Sequence, residues 1–291
     1  MTVEAGPGRL GPGPAPTGVR RLLAEHGVSP RRALGQHFLA DPNTARRIAR
    51  LAGVGPGDRV VEIGAGLGAL TLALAETGAS VTAVEVDRHL LAPLRAVAEP
   101  AGAEVVEGDA LTLDWGRLVG PGPWVVVANL PYNVATPLVL RLLEDVAAPA
   151  RMLVMVQAEV GERLAAGVGS PSYGAVSVRV TYWARAEVLG RVPPTVFVPR
   201  PRVESALVGI QRRPEPAVDP DMVGYPRLVE VVKAGFAQRR KMLRRSLAGV
   251  VPGEAFGAAG VDPRARAEEL DVSAWGRLAA CRPGPSGHRP S

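Results

Sequence analysis

Cysteine is almost absent from this chain of 291 residues, and its histidines are few. The one cysteine, Cys281, has no second cysteine with which to form an intramolecular disulfide, and no base near it in the sequence would activate its thiol. The four histidines are scattered without the spacing of a metal-binding motif. We therefore predict no disulfide, no reactive thiol and no metal site.

Long apolar runs are also lacking. No stretch of roughly 18 or more apolar residues is present, so the sequence predicts no membrane-spanning helix. The N-terminus lacks the basic, then apolar, then small-residue order of a secretory signal. These absences predict a cytoplasmic protein without a membrane partner. With 47% hydrophobic residues, the chain can still form the core of one large domain and one small domain.

Lysine is rare, although the chain is basic. Of the 34 lysines and arginines only Lys233 and Lys241 are lysines, so 34 minus 2 leaves 32 arginines. The net charge of +6 and the pI near 10.2 favour a polyanionic partner. Part of the arginine excess matches the excess of Ala, Gly and Pro that a GC-rich coding sequence produces. Guanidinium groups nevertheless suit phosphate, because their planar donors bind it in pairs.

Composition divides the chain into four parts. Residues 1–18 are mostly glycine, proline and alanine, and we expect a disordered tail there. Residues 19–214 alternate short apolar runs with helical patterns, which predicts an α/β domain with a mostly parallel sheet. A proline-rich linker at residues 213–221 leads into a small helical domain, residues 215–282, followed by a second tail at residues 283–291.

A glycine-rich turn follows the first strand predicted in the sheet, residues 59–63. The glycines at 64, 66 and 68 allow the backbone to approach a ligand at the start of a helix. Glu85 follows Gly64 by 21 residues (85 minus 64), at the end of the next predicted strand, where an acid can bind ribose hydroxyls. This pattern fits a nicotinamide-dependent enzyme, and it equally fits an enzyme that uses S-adenosyl-L-methionine (AdoMet).

Two further acids favour AdoMet over a nicotinamide cofactor. Glu62 lies two residues before Gly64, and Asp109 follows the third predicted strand. A carboxylate at position 109 can accept a hydrogen bond from an adenine amino group, as is typical of AdoMet sites. An ordinary turn would also explain Asp109, so the prediction depends on the two acids and the glycines together.

A second polar cluster is predicted at the same sheet edge. The valine-rich run at residues 125–128 reads as a strand buried on both faces, and Pro131 ends it because proline has no N–H for the ladder. Asn129 and Tyr132 therefore lie at the carboxyl end of a strand, where parallel sheets bind ligands. The alternative is an ordinary turn from a strand to a helix.

The motifs carry a family resemblance. Asn129-Leu130-Pro131-Tyr132 resembles the fourth motif of AdoMet-dependent N6-adenine methyltransferases. From about residue 20 to about residue 280, the chain resembles the KsgA (RsmA) family of small-subunit rRNA adenine N6,N6-dimethyltransferases. The other segments that carry this resemblance are Leu34-Gly35-Gln36-His37-Phe38-Leu39, Val156-Gln157-Ala158-Glu159-Val160, Phe197-Val198-Pro199-Arg200-Pro201-Arg202-Val203-Glu204-Ser205 and Phe236-Ala237-Gln238-Arg239-Arg240-Lys241.

The resemblance implies a fold and a cofactor site. The fold is a Rossmann-like class I AdoMet-dependent methyltransferase domain with a small C-terminal all-helical domain. The chain departs from the family at residue 37, where the family usually has asparagine; imidazole can still donate a hydrogen bond, but its reach differs and its charge varies near neutral pH. The residues implied to contact AdoMet are His37, Leu39, Gly64, Glu85, Asp109 and Asn129.

The implied chemistry needs neither a metal nor a general base. An adenine amino nitrogen is a poor nucleophile because its lone pair is delocalised into the ring. The side-chain oxygen of Asn129 and the carbonyl of Leu130 can accept hydrogen bonds from the two N–H groups of this nitrogen and so direct it at the methyl group. Tyr132 and Phe197 are expected to stack on the base once it is extruded. For Phe197 the alternative is a core position under a proline-rich loop.

A basic segment lies in the predicted helical domain. Residues 233–245 carry six basic residues and no acid, and Arg239 falls within the apolar stripe of the predicted helix. Either the helix breaks near Gln238 or Arg239 is held for a contact. The alternative is a basic helix face that contacts only solvent, but we favour a phosphate-binding surface. Its residues are Arg239, Arg240, Lys241, Arg244 and Arg245.

The expected function is dimethylation of two adjacent adenosines in the 3′-terminal hairpin loop of 16S rRNA, with AdoMet as the methyl donor. The expected partner is small-subunit rRNA within an immature 30S particle, and the expected state is a monomer. Two alternatives remain: a large-subunit (23S) rRNA adenine methyltransferase of the macrolide-resistance type, and a non-catalytic RNA-binding assembly factor.

Overall fold

The computed structural model describes residues 16–31, 34–145 and 147–281. Most of the predicted N-terminal tail and all of the predicted tail at residues 283–291 lie outside these ranges. The end of the N-terminal tail differs from the prediction, because helix α1 spans Pro16–Glu25. Within the described ranges, no helix is long and apolar enough to cross a membrane.

The chain forms two compact units. The first comprises residues 1–161 and 188–210, and the second comprises residues 162–187 and 211–291. The second unit therefore takes in a segment, residues 162–187, that the sequence pattern grouped with the preceding α/β domain. The domain boundary at residues 214 and 215 remains a prediction.

The first unit contains most of a seven-stranded sheet. The strands of the chain are β1 (Phe38–Leu39), β2 (Arg59–Ile63), β3 (Ser80–Glu85), β4 (Glu104–Glu107), β5 (Val125–Asn129), β6 (Arg151–Gln157), β7 (Ala184–Val192), β8 (Phe197–Val198) and β9 (Ser205–Arg212). The sheet has the order β4-β3-β2-β5-β6-β9-β7, and the short strands β1 and β8 form a separate antiparallel pair.

The strand order reverses between β2 and β5. Strands β4, β3, β2, β5 and β6 pair in parallel, and the chain adds strands outward from β2 before it returns to place β5 on the other side. Ligands bind at such switch points, beyond the carboxyl ends of the strands. β2 and β5 are buried almost throughout, which fits their valine-rich sequences.

Helices separate the parallel strands. Those between the parallel strands are α3 (Ala69–Ala75), α4 (Arg88–Ala98), α5 (Trp115–Val119) and α6 (Ala135–Glu144), while α2 (Pro42–Ala52) precedes β2 and α7 (Ala158–Ala165) follows β6. Local sequence fixes the start of several of them. Asp41, for example, caps α2 by accepting hydrogen bonds from the amides of Asn43 and Thr44, and Pro42 occupies the first turn. The alternation of strands and helices confirms the predicted α/β class.

In the described part of the second unit, the segment after β9 forms helices without strands. The helices of this unit are α8 (Ala175–Trp183), α9 (Tyr225–Ala237), α10 (Leu243–Ser246), α11 (Ala255–Ala258) and α12 (Val272–Ala280). Trp275 is fully buried in their shared core, where it packs near Phe236 and against the backbone of Gly235 in α9. Glycine at position 235 therefore allows α9 to approach α12 closely.

Replacement of this glycine tests the close approach. In Gly235→Ala the new methyl group would overlap the Trp275 ring, so we expect a loss of roughly 1 to 3 kcal/mol in unfolding free energy although alanine favours helices. Gly257→Ala in α11 is the matched control, because nothing lies within 4 Å of its new methyl group. Denaturant titration should show Gly257→Ala as stable as the parent or more so. Equal stability of the two variants would contradict the packing argument.

Candidate active site

The candidate site is a cavity in the first unit, at the carboxyl ends of β2 and β5. Four segments line it: residues 34–39, 64–67, 85–86 and 129–132. The last three follow or end β2, β3 and β5, so the parallel sheet brings them to one edge. The first comes from the chain before the sheet and supplies the fourth wall.

Most residues predicted for the site meet in this cavity. Those that line it are His37, Leu39, Gly64, Glu85, Asn129, Leu130, Pro131 and Tyr132. Asp109 and Phe197 are not among the lining residues. Eight of the ten positions predicted for catalysis and cofactor binding therefore line one cavity, and the roles assigned to all ten stay predictions.

Asp109 lies in a turn just beyond β4. Its side chain is exposed, and its Oδ1 accepts a hydrogen bond from the amide of Leu111 at 2.9 Å. This is the turn role that the sequence left open. A contact of Asp109 with an adenine amino group stays a prediction.

Phe197 is a core residue in this structure. It is 3% exposed and packs in the same apolar cluster as Leu39, its partner in the β1–β8 pair. Its ring therefore presents no free face to the cavity, which is the alternative that the proline-rich sequence around it suggested. A stacking role for Phe197 stays a prediction that requires this loop to move.

The side-chain amide of Asn129 has a defined orientation. Its Nδ2 donates a hydrogen bond of 3.0 Å to the backbone carbonyl of His37. Because the nitrogen is committed in this way, Oδ1 is the atom left to accept hydrogen bonds. The contact also joins the segment at residues 34–39 to the end of β5.

The imidazole of His37 is held by two neighbours. Its Nδ1 lies 2.7 Å from the carbonyl oxygen of Pro199, which can only accept, so Nδ1 carries the hydrogen. The ring lies beside that of Tyr132, with centroids 5.3 Å apart and planes inclined by 32°. The proposed contact of His37 with AdoMet would have to come from its Nε2 or its backbone.

The acidic side of the cavity contains two buried carboxyl groups. Glu62 is 2% exposed, and its Oε2 accepts a hydrogen bond of 2.5 Å from the hydroxyl of Thr71. Burial raises the pKa of Glu62 to about 8, so this group is mostly protonated at neutral pH. Burial also raises the pKa of Glu85, and hydrogen bonds from the amides of Asp87, Gly66 and Val86 oppose this rise.

The residues around the glycine turn fit a nucleoside cofactor. Gly64 and Gly66 have φ values of +74° and +61°, and a Cβ at Gly66 would come within 3.1 Å of the Phe38 ring. Side chains are therefore disfavoured at these two positions, which leaves their backbone open to the cavity. Glu85 offers a carboxylate for ribose hydroxyls, and apolar side chains such as Leu39 and Leu90 line the walls.

The structure adds residues that sequence reasoning missed. Asp87 is 2% exposed and caps α4; its carboxylate also accepts a hydrogen bond of 2.9 Å from Gln36 and forms an ion pair of 3.5 Å with Arg31. An acid directly before a helical pattern predicts a cap, but no local signal predicts the contact with residues more than fifty positions away. The bond from Gln36 to Asp87 therefore holds the segment at residues 34–39 at a second point, in addition to the bond between His37 and Asn129.

The second missed residue is Ser205, the first residue of β9. Its hydroxyl lies 2.9 Å from that of Tyr132, and its side chain is fully buried. Burial raises the pKa of the Tyr132 phenol, and the hydrogen bond with Ser205 opposes the rise. No local pattern indicates this pair, whose members are separated by 73 residues.

The predicted basic segment belongs to the second unit. Helix α9 ends at Ala237, and Gln238 has left the helical conformation with φ −126° and ψ 53°. Arg239 is partly exposed, and its guanidinium pairs with Glu268 at 2.6 Å and donates to the carbonyl of Pro171 at 2.8 Å. The remaining predicted RNA-binding residues, Arg240, Lys241, Arg244 and Arg245, are exposed.

Clusters of potential metal ligands are not found in the part of the chain that the structure covers. No group of three or more His, Cys, Asp or Glu residues there is arranged to hold a metal ion. The carboxyl groups of the cavity are instead engaged by a hydroxyl and by backbone amides.

The protonation of Glu62 should make stability depend on pH. The folded pKa of about 8 lies above the ordinary value of 4.5, so the folded state binds the extra proton and loses stability as pH rises between these values. The slope is at most about 1.4 kcal/mol per pH unit. Glu62→Gln cannot ionise, so its melting temperature should fall less than that of the parent between pH 6 and pH 9.

Glu104→Gln is the control, because Glu104 is an exposed carboxylate of β4 in the same unit. Its melting temperature should follow that of the parent across the range. If Glu62→Gln declined with pH as steeply as the parent and Glu104→Gln, the protonation assigned to Glu62 would be wrong.

Comparison with known proteins identifies the family of this chain. A model of the family described as "Ribosomal RNA adenine dimethylase" matches residues 27–281. The Ribosomal RNA small subunit methyltransferase A of Nocardia farcinica is 48% identical over 276 residues, covering 91% of this chain and 94% of that protein. The protein of the same name from Kineococcus radiotolerans is 47% identical over 276 residues, covering 91% of this chain and 90% of the other.

Two solved structures share the fold. A dimethyladenosine transferase from Plasmodium falciparum superimposes with a TM-score of 0.70 at 22% identity, covering 83% of this chain and 96% of the other. The 23S rRNA methyltransferase ErmE superimposes with a TM-score of 0.65 at 28% identity, covering 83% of this chain and 98% of the other. The predicted Rossmann-like AdoMet-dependent methyltransferase fold with a helical C-terminal part is therefore confirmed. The chain belongs to the ribosomal RNA adenine dimethylase family and is an AdoMet-dependent enzyme.

Proposed function

We propose that this chain dimethylates the N6 of two adjacent adenosines in the 3′-terminal hairpin loop of 16S rRNA. The observation that carries the proposal is the Asn129 amide, whose nitrogen is bound to the His37 carbonyl and whose oxygen remains as an acceptor at the cavity. Relatives that are 46–48% identical and are named for the small ribosomal subunit support this choice of RNA.

The residues of the chain would act on the nucleophile. AdoMet, when bound, supplies a methyl group on a sulfonium, which leaves as the neutral thioether S-adenosylhomocysteine. In the first transfer to each base, the Asn129 Oδ1 and the Leu130 carbonyl would accept hydrogen bonds from the two N–H groups of the adenine amino group. These bonds would draw the nitrogen toward tetrahedral geometry and free its lone pair, and the proton that N6 loses would pass to solvent. Leu130 is held in register by its own amide, which donates to the carbonyl of Met155 at 3.0 Å.

Tyr132 would bind the extruded base. Its ring lies at the cavity, three residues beyond Asn129, and base–aromatic stacking contributes roughly 1 to 3 kcal/mol. That range is comparable to the cost of extruding an adenine from its stack. Phe197 would complete the stack only after its loop moved, because it is buried here.

We also propose that the exposed cations of the second unit bind rRNA phosphates. Arg240, Lys241, Arg244 and Arg245 follow the end of α9 and are all exposed, whereas Arg239 is already paired with Glu268. The rRNA would be recognised within an immature 30S particle in the cytoplasm, by a monomeric protein. Arginine and lysine at such a surface contribute affinity without sequence specificity.

The substrate assay uses the full chain, labelled AdoMet, and immature small and large subunits offered separately. We expect label on small-subunit RNA, and mass spectrometry of the labelled fragment should show two dimethylated adenosines side by side. Label on large-subunit RNA would favour the activity of ErmE instead. Binding without transfer would favour a non-catalytic assembly factor.

Asn129→Ala tests the acceptor role in the same assay. Removal of the amide should lower the transfer rate at saturating AdoMet by at least about 100-fold, the loss typical of a transition-state hydrogen-bond partner, and calorimetry measures separately the loss of its implied AdoMet contact. Asn43→Ala is the control, because Asn43 is an exposed asparagine of the same unit. Transfer at the parental rate by Asn129→Ala would remove Asn129 from the mechanism.

The double variant Arg240→Ala/Arg244→Ala tests the basic surface. It should bind small-subunit RNA more weakly, and the slope of log affinity against log salt should fall by about 2, one for each phosphate contact. Arg50→Ala/Arg117→Ala makes the same change in net charge at exposed positions of the first unit. If both pairs changed the slope equally, only net charge would matter and the proposed surface would be wrong.

A further inference from the structure

The phenol of Tyr132 is anchored at its far end. Its hydroxyl lies 2.9 Å from the hydroxyl of Ser205, and either oxygen can donate. The two residues come together because β9 begins where β6 ends: the amide of Ala158 donates to the carbonyl of Glu204 at 3.0 Å. Strand β6 in turn pairs with β5, which leads into Tyr132.

The contact with Tyr132 accounts for a polar side chain at position 205. Its side chain is fully buried, at 0% exposure, and the next residues of β9, Ala206 to Val208, are apolar and equally buried. A buried hydroxyl without a partner is unfavourable, so the side chain at this place must be matched. Within the residues that the structure describes, its match is the Tyr132 hydroxyl.

The ring of Tyr132 is also restrained along its side. The His37 ring lies with its centroid 5.3 Å away, and His37 is itself held by the carbonyl of Pro199. Tyr132 is thus fixed by a hydrogen bond at its hydroxyl and by a neighbouring ring. A side chain fixed in this way before the base arrives loses less conformational entropy when it stacks, which favours the productive geometry.

We propose that Ser205 is a positioning residue for methyl transfer: its buried hydroxyl holds the Tyr132 ring in the orientation that receives the extruded adenine. This inference rests on the proposed function of Tyr132. It adds a residue of β9, outside the residues that line the cavity, to the set that determines the rate.

A double-mutant cycle on the full chain tests the proposal. Tyr132→Phe keeps the ring and removes its hydroxyl, and Ser205→Ala removes the hydroxyl of its partner. Each variant should lower kcat on small-subunit RNA by about tenfold or more, with the Kd for AdoMet unchanged. The double variant should be no slower than either single variant, because the second change removes a contact that is already lost.

Ser177→Ala is the matched control. Ser177 is also fully buried, and its hydroxyl donates to the carbonyl of Arg163 at 2.6 Å in the second unit. Its loss should lower the melting temperature and leave kcat unchanged at a temperature where the protein is folded. Tyr132→Phe retains the ring's packing, so it tests the contact even if Ser205→Ala is poorly folded.

Several results would overturn the proposal. A normal kcat for Tyr132→Phe, or single effects that multiply in the double variant, would show that the hydrogen bond does not position the ring. Tyr132→Ala separates this failure from failure of the proposed function. Normal transfer by Tyr132→Ala would remove Tyr132 from base binding altogether, whereas loss of transfer in Tyr132→Ala with normal Tyr132→Phe would remove only the role of Ser205.

Discussion

The parallel pairing of β2 with β5 is the constraint on which the site depends. Val60, Val61 and Glu62 lie opposite Val125, Val126 and Val127, so the two strands run side by side in one direction. Their carboxyl ends therefore open at one edge, and the glycine turn after β2 faces the polar motif after β5. Gly64 shows how close they come, because a Cβ there would lie 3.6 Å from the Pro131 ring.

A segment from outside the sheet completes the cavity and is fixed at three places. Residues 34–39 are bound through the His37 carbonyl to Asn129, through Gln36 to Asp87, and through β1 to β8. The same hydrogen bond that holds this segment orients the Asn129 amide. The bond between Asn129 and His37 therefore does two things: it holds the segment over the cavity, and it leaves the Asn129 Oδ1 free to accept. Glu62 and Glu85 are buried at the same sheet edge, and this burial raises the pKa of both carboxyl groups.

The second unit separates arginines that the sequence places side by side. Arg239 is bound by Glu268 and the Pro171 carbonyl just beyond the end of α9, whereas Arg240 is exposed one residue later. An arginine that is already paired offers less to a phosphate than one that is hydrated and free to move. The basic surface of this unit therefore depends on the point where the helix stops as well as on composition.

The sequence by itself determined the α/β class, the strands β2 and β5, the glycine turn and the polar motif at Asn129, because each depends on local patterns of burial, turn formation and hydrogen-bonding type. For Arg239 and for Phe197 the sequence left two alternatives open. Arg239 either followed a helix break or was held for a contact, and Phe197 either stacked on the base or lay in the core. Only the tertiary structure decided that Phe197 lies in the core and that Ser205 meets Tyr132. The reason is that these outcomes depend on which distant segments pack together. A contact between residues 73 positions apart produces no periodic pattern in the sequence around either residue.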